Sequence, residues 1–219
     1  MNNFGGMGGM PMMNPMIEKP TTNPTHNNNN LKDYHLQQMR MIENMMATHG
    51  PAPVQLDMGI SRIQREYALC QKDSDLIQIG CSFGLEQENN LNVWKVSMLG
   101  PQDTPYAGGV FTIKVYFPEE YPKKGAEFRF VNKIYHLNVD WKNKDRLGHI
   151  SLSSLYEWQA KGKVKSKPCY GVKQALFDIF CLFYNQGVDS PYDEAIAEQY
   201  KNRRQEFDAI ASKWTKEYA

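Results

Sequence analysis

Apolar and polar residues alternate along the middle of the chain in a pattern that predicts an antiparallel sheet. Four segments place apolar side chains at every second position, and short, turn-rich connections separate them. Because strands joined by short connections pair as neighbours, we expect a four-stranded meander with one buried face. The segments are Ile77–Phe83, Trp94–Met98, Phe111–Phe117 and Ala126–Phe130.

Helical periodicity flanks the predicted strands on both sides. MGISRIQREYALCQK, which ends at Lys72, places Ile63, Tyr67 and Cys70 on one face and predicts a helix that docks on the sheet. After an irregular stretch, VKQALFDIFCLFYNQG is apolar nearly all round, which predicts a buried central helix from about Gly171 to Tyr184.

Two C-terminal helices complete the predicted fold. Ser190-Pro191 opens the first, which runs to about Tyr200, and the second carries Phe207 and Trp214 on one side. The order of one helix, four strands, an irregular stretch and three helices indicates an α+β domain that begins near Asp57.

Residues 1–30 form a low-complexity arm that is rich in Met, Gly, Asn and Pro, with Glu18 and Lys19 as its only formal charges. Such a segment lacks the apolar surface for a core of its own. It is either a disordered tail or an arm that folds onto a partner, since unbranched methionines adapt to irregular apolar surfaces.

Residues 31–56 predict an amphipathic helix followed by a stiff linker, because Gly50-Pro51 ends the periodic pattern and PAP follows it. The apolar stripe lies outside the α+β domain, so it predicts a contact with a partner protein; ordinary core packing is the alternative. The candidate contact residues are Tyr34, Met39, Ile42, Met45 and Met46.

Composition narrows the class of protein. The net charge of +1 gives no global basic field for nucleic acid. The four cysteines form no CxxC pair, which argues against a structural metal site, and no motif calls for a cofactor. No apolar run reaches the roughly 20 residues of a membrane span, and no signal pattern opens the chain. We expect an intracellular protein, cytoplasmic by default, with an organellar or mitochondrial complex left open.

Several ordered motifs carry a family resemblance. GPQDTPYAGGVFTIKVYFPEEYP ends at Pro122, IYHLNV begins at Ile134, GHISL begins at Gly148, and Trp158 and a terminal WTKEYA follow. Together they resemble the YP motif, the IYHPNI motif, the G-x-I-C-L active-site segment and the C-terminal helices of the ubiquitin-conjugating enzymes. The resemblance covers about residues 57–219 and implies the UBC fold.

The resemblance implies an enzyme that carries ubiquitin as a thioester on a cysteine, yet Ser151 stands at the cysteine position of GHISL. A serine hydroxyl needs an adjacent base, whereas a thiol supplies some thiolate near neutral pH. His149 is a conceivable but poorly placed base, and Cys169 is a candidate displaced thiol. Ser151 is also compatible with an engineered replacement that traps ubiquitin as an oxyester.

Asn138 and His136 match the HPN motif that the resemblance associates with support of the active-site loop and of the oxyanion. The intervening proline is Leu137, and WKNKDR makes the connection to Ser151 longer than the family pattern. We therefore interpret Ser151, Asn138 and His136 as vestigial positions, with Asn138 holding the loop by hydrogen bonds.

The surface that the resemblance assigns to ubiquitin ligases also differs. Lys123 follows Tyr121-Pro122 where an aromatic residue is expected, and Gln159-Ala160-Lys161 replaces Ser-Pro-Ala after Trp158. A hydrated lysine does not fill an apolar groove. The inserted segment KGKVKSKP forms a basic loop that is either solvated or in contact with an acidic protein or anionic lipid surface; its candidate residues are Lys161, Lys163, Lys165 and Lys167.

These departures favour a non-catalytic protein that acts as an interaction or structural subunit of a larger assembly. Two alternatives remain from the sequence. One is a ubiquitin-binding variant that assists an active conjugating enzyme, although such variants generally lack the two C-terminal helices. The other is an active enzyme that uses Ser151, Cys169 or a native cysteine that Ser151 replaces.

Overall fold

The structure is a computed structural model of the chain. It describes residues 62–88, 90–167 and 170–219, together with the isolated position Arg40. The predicted arm, nearly all of the predicted helix and linker at 31–56, with its candidate contact residues, and Cys169 lie outside the described residues.

A six-stranded antiparallel sheet forms the centre of the described domain. Its spatial order is β1-β2-β3-β4-β6-β5, so the first four strands are a meander and the last two extend it at one side. The strands are β1 (Cys81–Leu85), β2 (Val93–Leu99), β3 (Val110–Tyr116), β4 (Glu127–Phe130), β5 (Val139–Asp140) and β6 (His149–Ile150).

The register of the sheet places the alternating apolar residues on one face. Trp94 lies opposite Val115 and Val96 opposite Ile113, and all four side chains are fully buried. Lys95 and Lys114 pair on the outer face of the same two strands. The period-two pattern therefore fixes the register, since a slip of one residue would turn the buried set towards solvent.

Helices surround the inner face of the sheet. The buried central helix α4 has eight buried residues, and Phe183 contacts Phe111 and Phe130 of the sheet through their rings. The helices are α1 (Arg62–Lys72), α2 (Ser74–Gln78), α3 (Ser153–Lys161), α4 (Val172–Tyr184), α5 (Glu194–Asn202) and α6 (Arg204–Tyr218). None of these described helices combines the length and the apolar character that crossing a membrane requires.

The start of the first predicted strand is wrong. Residues Ser74–Gln78 form helix α2 instead, because the Asp73 carboxylate accepts hydrogen bonds from the main-chain N–H groups of Asp75 and Leu76 and caps the helix. Ile77 is 56% exposed rather than buried, and the strand begins only at Cys81. A local cap therefore overrides the apparent alternation of Ile77, Ile79 and Cys81.

The structure differs from the sequence prediction in two other places. The irregular stretch after β4 contains the short strands β5 and β6 and the helix α3, so the sheet has two more strands than predicted. Helix α5 begins at Glu194 with Asp193 as its cap, and not at Ser190-Pro191. The α+β architecture, the buried central helix and the two C-terminal helices agree with the prediction.

Glu66 of α1 joins three elements that are distant in sequence. Its carboxylate accepts hydrogen bonds from the Tyr121 hydroxyl at 2.5 Å, from Arg62 at 2.7 Å and from the main-chain N–H of Val172 at 3.3 Å. The last contact satisfies a donor at the start of α4, whose own cap residue, Gly171, supplies no side chain. Glu66 thus fixes α1 against the central helix and against the turn at Tyr121-Pro122, hereafter the YP turn.

Gly148, at the turn into β6, gives a stability prediction. Its φ is +76°, and a Cβ added there would lie 2.0 Å from the Phe130 carbonyl oxygen. A left-handed conformation costs a non-glycine residue about 1–2 kcal/mol before any clash. Gly148→Ala should therefore lower the free energy of unfolding in urea by more than about 2 kcal/mol.

Gly84→Ala is the matched control, because a Cβ at Gly84 meets no atom closer than 3.9 Å. This exchange should change the free energy of unfolding by less than about 1 kcal/mol, in the stabilising direction. Equal effects of the two exchanges would contradict the assigned strain at Gly148.

Candidate functional site

The segments around Leu137 and Ser151 lie side by side, at one end of β5 and β6. The main-chain N–H of Ser151 donates a hydrogen bond to the Asn138 carbonyl oxygen at 2.7 Å. Val139 of β5 then pairs with Ile150 of β6. This pairing places Asn138 next to Ser151, although several inserted residues separate the two along the chain.

The Ser151 hydroxyl is buried and already hydrogen bonded. Only 6% of the residue is exposed, and Oγ donates to the carbonyl oxygen of Ser190 at 2.7 Å. A main-chain carbonyl accepts a hydrogen bond but does not remove the proton, so this contact does not activate the oxygen as a nucleophile. The geometry holds Ser151 as a structural hydrogen-bond donor.

His149 forms no pair with Ser151. Its Nε2 lies 2.9 Å from the Glu127 carboxylate, which also accepts a hydrogen bond from Arg129. Burial lowers the pKa of His149, with Glu127 acting in the opposite direction. The conceivable Ser-His arrangement is thus absent from the described geometry, because the two side chains are bound to different partners.

The Asn138 side chain is fully buried and holds a distant loop. Its Nδ2 donates to the Gly187 carbonyl at 2.8 Å, and its Oδ1 accepts the Gly187 N–H at 2.8 Å. A weaker contact at 3.4 Å reaches the carbonyl of Ser190. The amide that would be the oxyanion donor is therefore occupied by the main chain of residues 187–190, hereafter the covering loop.

His136 is buried in a single neutral tautomer. The main-chain N–H of Asn138 donates to Nδ1 at 3.0 Å, so the ring proton lies on Nε2, which donates to the Leu182 carbonyl at 3.1 Å. Burial lowers the pKa of His136 to about 4, against a smaller opposing effect of the Leu182 contact. Neither ring nitrogen is available to act on Ser151.

Further contacts hold the chain on both sides of the covering loop. Gln186, just before it, accepts the Leu137 N–H at 3.2 Å and donates to the buried Tyr106 hydroxyl at 2.6 Å. Tyr192, just after it, donates its N–H to the Leu137 carbonyl at 2.7 Å and shares a hydroxyl contact with Tyr156. Sequence reasoning missed this loop as part of the site; its only signal was the helix stop at Asn185-Gln186-Gly187.

The inserted residues add contacts to the same surface. Lys142 forms an ion pair with Asp193 at 2.6 Å, and the Arg146 guanidinium lies 5.5 Å from the centre of the Tyr192 ring. The Lys142 side chain is largely exposed, so its ion pair with Asp193 contributes little to stability. The two contacts place the inserted segment against the residues that follow the covering loop.

The surface beside the YP turn is closed by packing around Trp158. A Cβ added at Gly125 would lie 2.4 Å from the indole of Trp158, so this position admits only glycine without a shift. Gln159 donates to the Ala126 carbonyl at 3.3 Å. Lys123 is exposed, which leaves a charged side chain at the place where the resemblance expects an aromatic one.

The structure describes residues 161–167 of the basic loop. Lys161, Lys163 and Lys165 are exposed, as a contact surface requires, but Lys167 is half-buried and forms an ion pair with Asp178. Val164 is buried and pairs with Lys167 in a β-bridge, which folds the loop back onto the domain. Lys167 therefore also holds the loop against α4, and its role as a contact residue stays a prediction, as for the other three lysines.

Cys70 and Cys81 are buried. Burial raises the pKa of the Cys81 thiol to about 12 and raises that of Cys70 further, so neither supplies thiolate at neutral pH. Cys181 is half-buried and packs against the core. Within residues 62–88, 90–167 and 170–219, no group of three or more His, Cys, Asp or Glu side chains is arranged to hold a metal ion.

Comparison with known proteins identifies the family to which this chain belongs. The family model described as "Ubiquitin-conjugating enzyme" matches residues 62–215, which is most of the chain and all of the elements that surround Ser151. The chain belongs to the ubiquitin-conjugating enzyme family.

Two relatives illustrate how close the chain is to other members of the ubiquitin-conjugating enzyme family. It is 36% identical over 132 residues to ubiquitin-conjugating enzyme E2 13 of Schizosaccharomyces pombe, covering 60% of this chain and 81% of that protein. The E2 domain of a Toxoplasma gondii ubiquitin-conjugating enzyme superposes with a TM-score of 0.57 at 28% identity, covering 72% of this chain and 97% of that domain. Both likenesses support the UBC fold.

The neutral state of His136 gives a pH prediction for this ubiquitin-conjugating enzyme homologue. The ring has a pKa of about 4 when folded and of about 6.5 when unfolded, so the unfolded chain binds the extra proton between these values. Its contribution to stability is complete above about pH 6.5 and declines as the pH falls towards 4. The free energy of unfolding should drop by about 2 kcal/mol between pH 7.5 and pH 5 from this group.

Urea unfolding of the wild type and of His136→Gln at both pH values isolates that contribution. The glutamine amide still offers a donor for the Leu182 carbonyl but does not titrate, so the variant should lose most of this pH dependence even if its stability at pH 7.5 is lower. An unchanged pH dependence in the variant would show that His136 is not the responsible group.

Proposed function

We propose that the chain is a non-catalytic member of the ubiquitin-conjugating enzyme family that serves as an interaction or structural subunit of a larger intracellular assembly. The observation that carries the proposal is the hydrogen bond from the buried Ser151 hydroxyl to the Ser190 carbonyl. A nucleophile needs an approach path and a proton acceptor, and this contact is consistent with neither.

The groups around Ser151 support the same conclusion. Asn138 and His136 use their polar side-chain atoms to hold the main chain at Gly187 and Leu182, and neither is left for an oxyanion or a proton transfer. These hydrogen bonds are best explained by a former catalytic cleft whose polar groups now serve only to pack the domain. Such a change preserves the fold and removes the catalytic activity.

The partner surface in this proposal lies at the N-terminal arm, at the predicted helix of residues 31–56 and at the exposed lysines of the basic loop. The charged Lys123 beside the YP turn disfavours ligase docking by an apolar anchor. Contacts with other subunits through the Met-rich arm and helix are therefore proposed in place of contacts with a ligase. Ubiquitin or a related protein is a weaker candidate partner.

A catalytic role is the second candidate, because the family and the S. pombe relative are named as conjugating enzymes. In that case Ser151 would carry ubiquitin as an oxyester, or Cys169 would carry it as a thioester. A native cysteine at position 151 would also belong to this candidate. The two candidates differ in one measurable step, which is charging by the activating enzyme.

Charging is tested by incubating the full chain with activating enzyme, ATP and ubiquitin and measuring the intact mass. We expect no ubiquitin adduct on the wild type, since the Ser151 hydroxyl is covered and lacks a base. We also expect Ser151→Cys to form less than about a tenth of the thioester that an active family member forms, because a tenfold loss corresponds to only about 1.4 kcal/mol of transition-state stabilisation.

Two further variants identify any adduct. An oxyester survives an added thiol and disappears in Ser151→Ala. A thioester on Cys169 is cleaved by exchange, because the added thiol takes the ubiquitin acyl group and releases the cysteine, and it disappears in Cys169→Ser. Either adduct on the wild type would replace the non-catalytic proposal with the enzymatic one. Efficient charging of Ser151→Cys would show that the covering loop does not block the position and that one substitution accounts for the loss.

The subunit role predicts a fixed set of co-purifying proteins. Affinity purification of the full chain at native abundance, followed by quantitative mass spectrometry, should yield partners in constant ratio to the chain. Removal of residues 1–56 should deplete these partners, while alanine substitution of Lys161, Lys163 and Lys165 should weaken the complex and make the remaining binding less sensitive to salt. A chain that purifies alone would refute the subunit role.

A further inference from the structure

A groove of about 430 Å³ lies beside the inserted segment, between the residues before and after β5 and the two C-terminal helices. Four aromatic residues line it together with aliphatic and charged side chains. Tyr135 and Trp141 come from the two sides of β5, Tyr192 precedes α5, and Trp214 lies on α6. Trp141 belongs to the WKNKDR insertion, so part of this wall comes from residues that the usual family sequence lacks.

Trp141 also has an unmet hydrogen-bonding requirement. Its indole Nε1 is the only buried side-chain nitrogen or oxygen without a hydrogen-bond partner in the part of the chain that the structure describes. An indole nitrogen only donates, so the missing partner is an acceptor such as a carbonyl oxygen. A buried donor without a partner is unfavourable, and a ligand that opens the rim and supplies an acceptor relieves this cost.

The other polar groups of the groove already have partners. The Tyr135 hydroxyl donates to Gln199 at 2.5 Å, and Tyr192 shares a hydroxyl contact with Tyr156. At the rim, Lys142 pairs with Asp193 and Arg203 pairs with Glu206. The groove therefore suits a ligand with an apolar body, no net charge and a main-chain carbonyl placed to accept from one indole N–H.

Extended segments that contain proline have this chemistry. Proline and the residue before it favour extended or polyproline II geometry, in which the main-chain carbonyls are not used within the segment. Aromatic grooves recognise such segments because the extended form loses little entropy on binding. An amphipathic helix is a poorer match, since its carbonyls accept hydrogen bonds inside the helix.

The chain carries such a segment outside the described residues. MPMMNPM, from Met10 to Met16, contains Pro11 and Pro15, four methionines and no charge. Methionine side chains adapt to irregular apolar surfaces and make favourable sulfur contacts with aromatic rings. We propose that Met10–Met16 docks in the groove of the same chain and presents a main-chain carbonyl to the Trp141 indole N–H.

The connection is long enough for docking within one molecule. The stretch from Ile17 to Ser61 has 45 residues. If residues 31–49 form the predicted helix, that part is about 28 Å long, and the remaining residues add about 25–30 Å as a coil. Tethering gives the segment a high effective concentration near the groove, so even a weak contact is populated. Docking is independent of whether Ser151 reacts, and a partner subunit that takes the arm would compete with the groove for it.

Photo-methionine incorporated into the full chain tests the contact directly. Of the 12 methionines, six lie in the arm, five lie between the arm and the described domain, and Met98 lies inside the domain, so the crosslinked peptide shows which segment made each contact. After irradiation and mass spectrometry, we expect crosslinks from Met10–Met16 to peptides that contain Trp141, Tyr192 or Trp214. Crosslinks from buried Met98 to its neighbours Cys81 and Phe111 confirm that the fold is intact.

Matched variants separate docking from accidental proximity. Trp141→Phe keeps an aromatic ring but removes the donor, and it should lower the arm-to-groove yield about two- to tenfold relative to the Met98 crosslinks, the factor expected for one hydrogen bond. Pro11→Ala with Pro15→Ala should also lower the yield. Pro20→Ala with Pro24→Ala, in the same arm but outside the segment, should leave it unchanged.

Three outcomes would overturn the proposal. Arm crosslinks that map to another face, or that are absent while Met98 crosslinks form, would exclude docking of the arm in the groove. The groove would then bind a different partner. Crosslinks that join heavy and light chains in an isotope mixture would assign the groove to a second copy. A yield that Trp141→Phe leaves unchanged would exclude the indole as the donor.

Discussion

The hydrogen bonds of the buried Asn138 side chain are the constraint on which the candidate site depends. One amide joins the turn before β5 to Gly187, through a donor and an acceptor at 2.8 Å each. Two polar groups buried without partners would each be unfavourable, so this reciprocal contact holds the covering loop in place. The loop then supplies the Ser190 carbonyl that fixes the Ser151 hydroxyl. The site is thus defined by buried polar groups that satisfy one another.

The hydrophobic core supports this network through the buried Tyr106. The Tyr106 hydroxyl donates to the Tyr135 carbonyl at 2.9 Å and accepts from Gln186, which also receives the Leu137 N–H. Complete burial raises the pKa of Tyr106, which keeps the hydroxyl protonated as a donor. The aromatic rings of the sheet and central helix therefore position the polar turn, and the polar turn positions the covering loop.

The sequence predicted the elements whose signals are periodic. Strands β2, β3 and β4 follow the alternation of residues such as Trp94, Val96 and Phe128, and the central helix follows from its apolar character on all sides. Helix α2 was missed because Ile77 and Ile79 imitate a strand, while the deciding contact is a cap by Asp73. Position 151 was recognised by motif, but its hydroxyl partner is Ser190, and such a distant contact depends on tertiary packing that no local pattern reports.

Sequence reasoning interpreted the WKNKDR insertion as a break in the spacing between Asn138 and Ser151. In the structure, the strand pairing of Val139 with Ile150 keeps these two positions adjacent, and the inserted residues project from the turn between the strands. Their effect is therefore on the neighbouring surface: Lys142 reaches Asp193, and Trp141 forms a groove wall with a donor that lacks a partner. The insertion therefore leaves the strand pairing intact and changes the neighbouring surface, because its residues lie outside the paired positions of β5 and β6.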